Sequence, residues 1–260
     1  MHNFSVELSS WARLGLRLAP KDGPCRSYLG GDPLLPPNHA WPSVDGRPMR
    51  FLARISLCEV DVCARLPQLP DEGALLFFYD GDSLPAGWDP NDKDRFAVLH
   101  LPDLAAPLSP ETFTAMTCTA RGVGFSPTLT YPSWEHPAVE ALGLSDKEFD
   151  EYESFTDALY CGKPRHQLCG NPSTIQGEGM ELICQLASSG YFCGSDWSHL
   201  GEVMPQMQDA AKRWHLVLQI DSDEELGFDW GDGGTVYFWA PADSQGKLQI
   251  HAAWVAMQCF

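Results

Sequence analysis

The feature that most constrains the fold is a pair of strand-like segments around an acidic loop, between Trp214 and Trp239. The first segment, WHLVLQID, alternates its side chains so that one face of a strand would be continuously aliphatic. The second segment, TVYFW, consists of β-branched and aromatic residues that suit a half-buried pleated surface. Glycines before it supply the backbone freedom of a tight return. The stretch therefore predicts a β-hairpin whose loop, SDEELGFDWGDGG, is acidic.

The same order of three segments occurs twice along the chain. In each half, a turn that contains glycine and ends in proline precedes a strand that carries an isoleucine, and an aromatic strand introduced by glycine follows. The segments are 27–33, 51–57 and 73–80 in the first half, and 166–172, 216–222 and 233–239 in the second. Because such repetition is typical of similar half-folds that pack together, we predict pseudo-repeats at about 14–131 and 163–260.

Local patterns predict the remaining elements. Strands are expected at 13–19, 51–57, 74–79, 95–101, 114–120, 128–131 and 248–258. We expect a short turn or 3₁₀ piece at 59–66 and helices at 138–142 and 202–213, whereas 180–186 fits a strand and a helix equally well. In the proline-rich passage 20–48, Trp41 is expected to anchor irregular chain onto the sheet. The predicted fold class is α+β: two related, mostly antiparallel β half-folds with a helical insert at about 134–162, in one domain of residues 1–260.

The insert contains one well-marked amphipathic helix. Ser145 and Glu148 have the spacing of a capping box, and the apolar residues from Phe149 to Leu159 recur at helical intervals. Gly162 follows where a C-terminal cap would lie. The opposite face is acidic and carries Asp146, Glu148, Asp150, Glu151, Glu153 and Asp157.

The charge balance argues against nucleic acid as a partner. The chain has 35 acidic and 17 basic residues and a formal net charge of −18. Phosphate binding depends on neutralisation by lysine and arginine, which are scarce here. An acidic surface suits a basic protein partner through complementary potential, although acidity can also serve solubility alone.

Cysteine usage and hydropathy indicate a protein of the reducing cytoplasm. The nine cysteines are odd in number and no two have C-x-x-C spacing. The N-terminal residues lack the basic start and apolar core of a signal peptide. No apolar run approaches the ~20 residues of a membrane-spanning helix, so no membrane association is expected.

Motifs that carry chemistry are missing from the sequence. There is no G-x-S-x-G, no H-E-x-x-H and no P-loop, so no catalytic residue and no cofactor are predicted. Counting Asp221 as the first position of an EF-hand loop puts carboxylates at several ligand positions, but the turn glycine falls at the seventh position, not the sixth, and the flanks read as strands. A solvated acidic loop without metal is therefore the favoured interpretation.

The segment around His166 is the most reactive-looking neighbourhood. Cys161 and Cys169 flank His166, and Lys163 and Arg165 could lower the pKa of a thiol. A basic turn between helix and strand explains the same residues without chemistry, and we favour that interpretation.

Several separate motifs together resemble the YwqG-like family, a bacterial domain of unknown biochemical function. These motifs are GGDPLLPPNHAWP, FLARISL, GALLFFYD, LCGNPSTIQG, WHLVLQID, WGDGGTVYFW and the closing QCF, and the resemblance covers about residues 14–260. Arg54 stands where the family usually has glutamine, while Gln219 keeps it in the second half. The resemblance implies an association with immunity proteins of bacterial toxin systems, including contact-dependent and type VI secretion, and it brings no catalytic residues.

Two functions follow as expectations. The first is a cytoplasmic immunity protein, not an enzyme, that neutralises a basic toxin, such as a nuclease, by occluding its active site. Its expected contact residues lie on the acidic helix (Asp146, Asp150, Glu151 and Glu153) and in the acidic loop (Asp223, Glu224, Glu225, Asp229 and Asp232). The alternative is a small-molecule-binding protein or enzyme with a cleft between the half-folds, lined by Trp41, Trp88, Trp197 and Trp230.

Overall fold

The computed structural model describes residues 10–36, 39–102, 120–160, 162, 164–194 and 196–260, and the fold is α+β. Within these residues an antiparallel sheet of ten strands, nearly closed like a barrel, is joined by a two-stranded hairpin and five α-helices. The strands are β1 Arg13–Pro20, β2 Tyr28–Leu29, β3 Ser43–Val44, β4 Arg47–Pro48, β5 Arg50–Ser56, β6 Ala74–Tyr79, β7 Phe96–Leu101, β8 Arg121–Thr130, β9 Gln167–Leu168, β10 Trp214–Asp221, β11 Thr235–Pro241 and β12 Trp254–Gln258. The helices are α1 Leu57–Cys63, α2 Pro137–Glu140, α3 Asp146–Tyr160, α4 Met180–Ser188 and α5 Met204–Ala211.

The large sheet is arranged about a central pair of strands. Its order is β12-β11-β10-β9-β1-β8-β2-β5-β6-β7, and β1 pairs with β8 along its whole length. We call β2, β5, β6 and β7 the N-terminal wing, and β9 to β12 the C-terminal wing. The two outer edges approach each other, because Phe96 of β7 packs edge-on against Trp254 of β12 with ring centroids 5.3 Å apart. The indole N–H of Trp254 also donates to the carbonyl oxygen of Gly87 at 2.8 Å.

The two wings share an irregularity of strand pairing. The β5–β6 register shifts between Phe51 and Ala53, and the β10–β11 register shifts between Leu216 and Leu218. In both wings the short strand, β2 or β9, pairs with the residues that follow this shift. Bulges of this kind bend a strand and increase its twist, so both wings curve at the same point.

Each short strand leads into a loop with two consecutive left-handed residues. In the N-terminal wing these are Gly30 and Gly31, with φ of 66° and 71°. In the C-terminal wing they are Cys169 and Gly170, with φ of 55° and 82°. Glycine adopts this conformation without strain, whereas the Cβ of Cys169 disfavours it.

The core is shared by the two wings. Phe77 of β6 meets Phe238 of β11 with ring centroids 5.1 Å apart, and both side chains are fully buried. The alternate residues of β6 point to the other face, where the proline-rich passage covers a smaller apolar cluster. Trp41 packs on that cluster and donates its indole N–H to the carbonyl oxygen of Met49 at 2.8 Å, as the expected anchor.

Most predicted elements are confirmed, with some differences in type. Strands β6 and β10 have the expected bounds, but residues 59–63 of the expected turn or 3₁₀ piece belong to the α-helix α1. The ambiguous segment 180–186 belongs to helix α4, and 248–258 divides into a 3₁₀ helix at Ile250–Ala252 and strand β12. Helix α3 begins after Ser145, whose backbone N–H donates to the Glu148 carboxylate at 3.0 Å.

The largest error concerns the central strand β8. Only 128–131 was predicted as strand, whereas β8 extends over Arg121–Thr130. Gly122, Gly124 and Pro127 lower its β propensity, and long pairing with β1 overrides that local preference. The strand predicted at 114–120 lies outside the described residues except for Ala120, which is not in a strand.

Candidate functional site

A buried glutamine holds the segment that contains β9 and the loop after it. Gln219 of β10 donates its side-chain N–H to the carbonyl oxygen of Arg165 and accepts from the backbone N–H of Ser173, both at 2.9 Å. Next to it, Asp221 accepts from the Arg165 backbone N–H and from the Thr235 hydroxyl, both at 2.7 Å. These contacts hold both ends of the segment 165–173, which contains β9, against the end of the β10–β11 hairpin.

A cavity of about 420 Å³ opens above this end of the hairpin. Asp221, Thr235 and Ser173 contribute to its lining, together with Glu153 and Asp157 of helix α3. The segment 131–135 and the C-terminal residue Phe260 complete it. We call it the α3 cavity, and it lies beside the acidic helix α3 and beside Asp221 and Thr235, which flank the acidic loop.

Carboxylates outnumber cations in the α3 cavity. Glu135, Glu153, Asp157 and Asp221 line it, and Arg165 is the basic residue among the lining residues. The Arg165 guanidinium donates to the Ser173 hydroxyl at 2.7 Å and forms an ion pair with Asp157 at 3.3 Å. Among the described residues, Glu135 and Glu153 have no ion pair. The cavity therefore has an excess of negative charge at neutral pH.

Exposed aromatic rings surround the mouth of the cavity. The exposed fractions of Trp134 and Phe260, which line it, are 40% and 72%, and that of Phe155 on α3 is 37%. Trp134 rests edge-on against Phe149, and Phe155 rests against Tyr131, with centroids 5.0 and 5.1 Å apart. Large aromatic side chains held rigidly in solvent are a usual feature of protein-binding surfaces.

Comparison with known proteins gives a family but no activity. Residues 27–259 match a domain of unknown function, DUF1963. The chain belongs to the DUF1963 family. No curated protein matches it. Strand β1 precedes the matched residues, although it pairs with both β8 and β9 of the DUF1963 domain.

The predicted acidic face of the DUF1963 domain lies on helix α3. Asp146, Asp150, Glu151 and Glu153 are all exposed. Glu151 forms an ion pair with Lys147 at 3.6 Å, and Glu153 also lines the α3 cavity. The helix therefore presents a continuous acidic surface beside the cavity.

Only part of the acidic loop, residues 222–234, is exposed and available for contact with a partner. Asp223 is buried, contrary to the expected solvated loop, and it accepts hydrogen bonds from the His166 ring and from the backbone N–H of Glu225. Glu225 is exposed but forms an ion pair with Arg121 of β8. Glu224, Asp229 and Asp232 are exposed. The Asp232 carbonyl accepts from the Phe260 backbone N–H at 3.0 Å, which connects the loop with the mouth of the α3 cavity.

The neighbourhood of His166 does not assemble a nucleophile. The backbone N–H of Asp221 donates to Nδ1 of His166 at 3.2 Å, so Nε2 carries the proton and donates to Asp223. Both ring nitrogens are thus occupied, and neither can accept a proton from a thiol. Burial raises the pKa of the Cys169 thiol to about 12. Cys161 and Lys163 lie outside the described residues.

The EF-hand count also conflicts with the structure. Asp221 and Asp223 already accept several protein hydrogen bonds, and the chain between them and Phe228 forms a tight bridged turn. The described residues contain no group of three or more His, Cys, Asp or Glu side chains placed to hold a metal ion. No helix in the described part of the chain is both long and apolar enough to span a bilayer.

A second acidic cavity, of about 600 Å³, adjoins the first at Glu135, which lines both. Glu178 and Glu181 line it too, and burial raises the pKa of Glu181 to about 7. The sequence did not predict Glu135, Glu181 and Phe260 as site residues, and it indicated Arg165 only as a neighbour of two cysteines. These four residues come from four distant segments, and only the tertiary fold brings them near the α3 cavity.

The four tryptophans expected in a cleft do not meet there. Between the wings lies a cavity of about 610 Å³ with Arg17, His166 and Leu226 in its walls, and none of the four lines it. Trp230 is fully buried and Trp41 lies in another cavity, of about 320 Å³.

Proposed function

We propose that this DUF1963 domain is an immunity protein that binds a basic bacterial toxin and neutralises it by occluding its active site. The observation that carries the proposal is the surface around the α3 cavity, where exposed carboxylates of α3 and exposed aromatic rings occur together. Charged side chains of one sign favour a partner of the other sign and accelerate the encounter. Aromatic rings supply contact area that holds the complex after the encounter.

The proposed contact surface is narrower than the acidic residues of the sequence suggest. It contains Asp146, Asp150, Glu151 and Glu153 of α3 and the exposed loop residues Glu224, Asp229 and Asp232. Asp223 is excluded because its side chain is buried against His166, and Glu225 because its carboxylate is paired with Arg121 of β8. A stable complex buries roughly 800 Å² on each partner, so we expect the interface to include α3, the cavity mouth and the near end of the acidic loop together.

We also propose that the two wings derive from one duplicated half-fold of the YwqG-like type, as the predicted pseudo-repeats at 14–131 and 163–260 imply. The matching register shifts and the paired left-handed residues in each wing support this. A duplicated fold leaves a cavity between its halves, and the space of about 610 Å³ between the wings favours a second candidate function, small-molecule binding or catalysis at that point.

The first experiment is capture of the tagged protein from its native cells, washed at low and then at high salt. The proposal expects a stoichiometric basic partner that is toxic when expressed alone and harmless when co-expressed with this chain. Retention at high salt would indicate an apolar centre of the interface, because salt screens exposed charges. Absence of any partner under both washes, together with a thermal shift caused by a small molecule, would favour the second candidate instead.

Charge reversal then maps the surface. The triple variant Asp150→Lys, Glu151→Lys and Glu153→Lys on α3 should weaken the complex at least about tenfold, mainly through slower association. The matched control is Asp61→Lys, Glu72→Lys and Asp94→Lys, which changes the charge equally at exposed positions near the N-terminal wing. Equal weakening by both variants would show that net charge matters and that this surface does not.

A further inference from the structure

We infer that the α3 cavity accepts one cationic side chain, of an arginine or a lysine, that projects from the basic protein partner. The inference rests on the proposed function for its partner, and it adds where and how that partner is anchored. An acidic surface alone would attract any basic protein, whereas a cavity that takes one side chain fixes the position of the complex.

The cavity has room for a lysine or arginine side chain, and its base is polar and fixed. Its volume is about 420 Å³, and its polar base is formed by Asp221, Thr235 and Ser173. The Thr235–Asp221 and Ser173–Gln219 hydrogen bonds, at 2.7 and 2.9 Å, hold that base in place before any ligand arrives. A preformed pocket avoids part of the ordering cost of binding.

The charge of the cavity selects a cation. Its four carboxylates face one guanidinium, that of Arg165, which is already bound to Asp157 and Ser173. Glu135 and Glu153 have no ion pair within the described residues, so an entering cation would find partners without breaking an existing pair. An anion would be repelled by the same groups.

A hydroxyl at the same place can accept a hydrogen bond from a cationic donor. The hydroxyl oxygen of Ser133, in the cavity wall, is buried and has no hydrogen-bond partner within the described residues. A buried polar atom without a partner costs free energy, and ammonium and guanidinium groups carry only donors. A cation that reaches this wall would supply the missing bond.

The aromatic rings favour an organic cation over a simple ion. Trp134 and Phe260 line the cavity and remain 40% and 72% exposed. A guanidinium or ammonium that passes over an aromatic face gains a cation–π interaction, and the aliphatic stem of the side chain buries the ring. The buried carboxylate of Asp221 at the base of the cavity and the exposed rings at its mouth thus match the two ends of an arginine or lysine side chain.

The N-terminal wing shows that strand pairing does not require this carboxylate. Asp221 and Thr235 pair across β10 and β11, and the pair in the same register position of β5 and β6 is Ser56 and Ala74. Ala74 belongs to the apolar cluster beneath the proline-rich passage. At this register position a carboxylate therefore occurs in the C-terminal wing, beside the α3 cavity, and not in the N-terminal wing.

The test compares two neutralised pairs on the purified full chain. Glu135→Gln with Glu153→Gln removes two cavity carboxylates, and Asp150→Asn with Glu151→Gln removes the same charge from the α3 surface outside the cavity. We expect the cavity pair to weaken partner binding about tenfold or more in titration calorimetry, and the control pair to weaken it only two- to threefold. A double-mutant cycle should couple Glu153 to one basic residue of the partner. Equal weakening by the two pairs would overturn the inference and leave the immunity function intact.

A direct probe decides the inference even without a partner. Nα-acetyl-arginine amide and Nα-acetyl-lysine amide at millimolar concentration should shift the indole N–H resonance of Trp134, assigned with Trp134→Phe. The neutral isostere Nα-acetyl-citrulline amide should not shift it, and Glu135→Gln with Glu153→Gln should abolish the arginine shift. If native cells yield no partner, the immunity function fails, and the probe alone decides the cation site. No shift with either cation, or an equal shift with citrulline, would overturn it.

Discussion

The two wings differ at the buried residue that supports their first loop. In the C-terminal wing, Gln219 donates to the Arg165 carbonyl and accepts from the Ser173 N–H. In the N-terminal wing, Arg54 occupies the same register position and donates to the carbonyl oxygen of Arg26. A guanidinium has no acceptor, so it can replace only one of the two bonds of the amide.

The missing bond is supplied by another side chain in the N-terminal wing. The backbone N–H of Leu34, which follows an Asp-Pro turn as Ser173 follows an Asn-Pro turn, donates to the Tyr28 hydroxyl at 3.1 Å. Tyr28 lies where the C-terminal wing has Gln167. The same loop can therefore be held by a tyrosine over an apolar cluster or by a glutamine beside a polar cavity. The C-terminal solution keeps the cavity open to solvent and acidic, which is why we assign the binding function to that wing.

The largest loss of stability is expected when Gln219 and Arg54 are each replaced by the residue of the other wing. Gln219→Arg would remove the acceptor of the Ser173 N–H and bury a second cation near Arg165, and we expect it to lower the free energy of unfolding by about 3–5 kcal/mol. Arg54→Gln should cost less, about 1–2 kcal/mol, because an amide can still donate to the Arg26 carbonyl. Urea unfolding at pH 7 measures both. Losses of equal size would show that the two supports are interchangeable.

Asp223 distinguishes the two wings, because its contribution to stability depends on pH. The hydrogen bond from His166 lowers the pKa of the Asp223 carboxyl below its ordinary value of 3.8. Its contribution to stability is therefore complete above that value and is lost as the pH falls through the lower folded pKa. In the N-terminal wing, the hydroxyl of Ser27 accepts from the Ser56 N–H, in the position where His166 accepts from Asp221, and brings no such titration.

Asp223→Asn should thus lower stability by about 2 kcal/mol at pH 7 and by less near pH 2. Chemical denaturation over this pH range measures the difference between variant and parent. At low pH, the backbone amides of the β10–β11 hairpin should exchange with solvent faster than those of the β5–β6 hairpin. A variant whose deficit is the same at pH 2 and pH 7 would contradict the assigned role of Asp223.

The contribution of Glu181 to stability should change with pH in the direction opposite to that of Asp223. Burial raises its pKa from 4.5 to about 7, so the folded chain keeps the proton that the unfolded chain releases between these values. Its contribution falls as the pH rises from about 4.5 to 7. Glu181→Gln should accordingly stabilise the protein at pH 8, by about 1–2 kcal/mol, and change little at pH 4. Thermal unfolding at the two pH values checks this, and an unchanged melting temperature at pH 8 would refute it.

The sequence analysis succeeded where a local pattern and the tertiary structure agree. Strands β6 and β10 combine strong β propensity with dense burial, so their bounds were predicted correctly. In strand β8 the two disagree: its glycines and Pro127 are poor strand formers, but pairing with β1 holds them in a strand. Helix α3 was predicted from its capping box and its apolar spacing, both of which are local features.

The site was less predictable because it depends on distant residues. The acidic faces of α3 and the loop are visible as composition, but the approach of α3 to the two flanks of that loop, Asp221 and Thr235, around one cavity is not. Asp223 was expected on the surface because the sequence does not reveal that His166 lies beside it in the fold. Glu135 and Phe260 carry no motif, and only the approach of the C-terminus to the acidic loop brings Phe260 to the cavity.

The smallest expected effect concerns the contacts by which arginines hold the acidic loop. Arg121 of β8 forms an ion pair with Glu225, whose side chain is 71% exposed. Arg50 of β5 donates to the Gly227 carbonyl at 2.8 Å and lies over the Trp230 ring, 5.8 Å from its centroid. An exposed ion pair contributes at most about 0.5 kcal/mol, whereas a cation over a buried ring with a hydrogen bond contributes about 1 kcal/mol.

Glu225→Gln should therefore change the free energy of unfolding by less than about 0.5 kcal/mol and leave partner affinity near that of the parent chain. Arg50→Ala should cost about twice as much stability, and the loss should persist at high salt because Trp230 is buried. Unfolding in low and high salt separates the two variants. If Glu225→Gln weakened the partner complex as strongly as the Glu135 and Glu153 pair, the binding surface would have to extend along the whole acidic loop, and the α3 cavity would no longer be its centre.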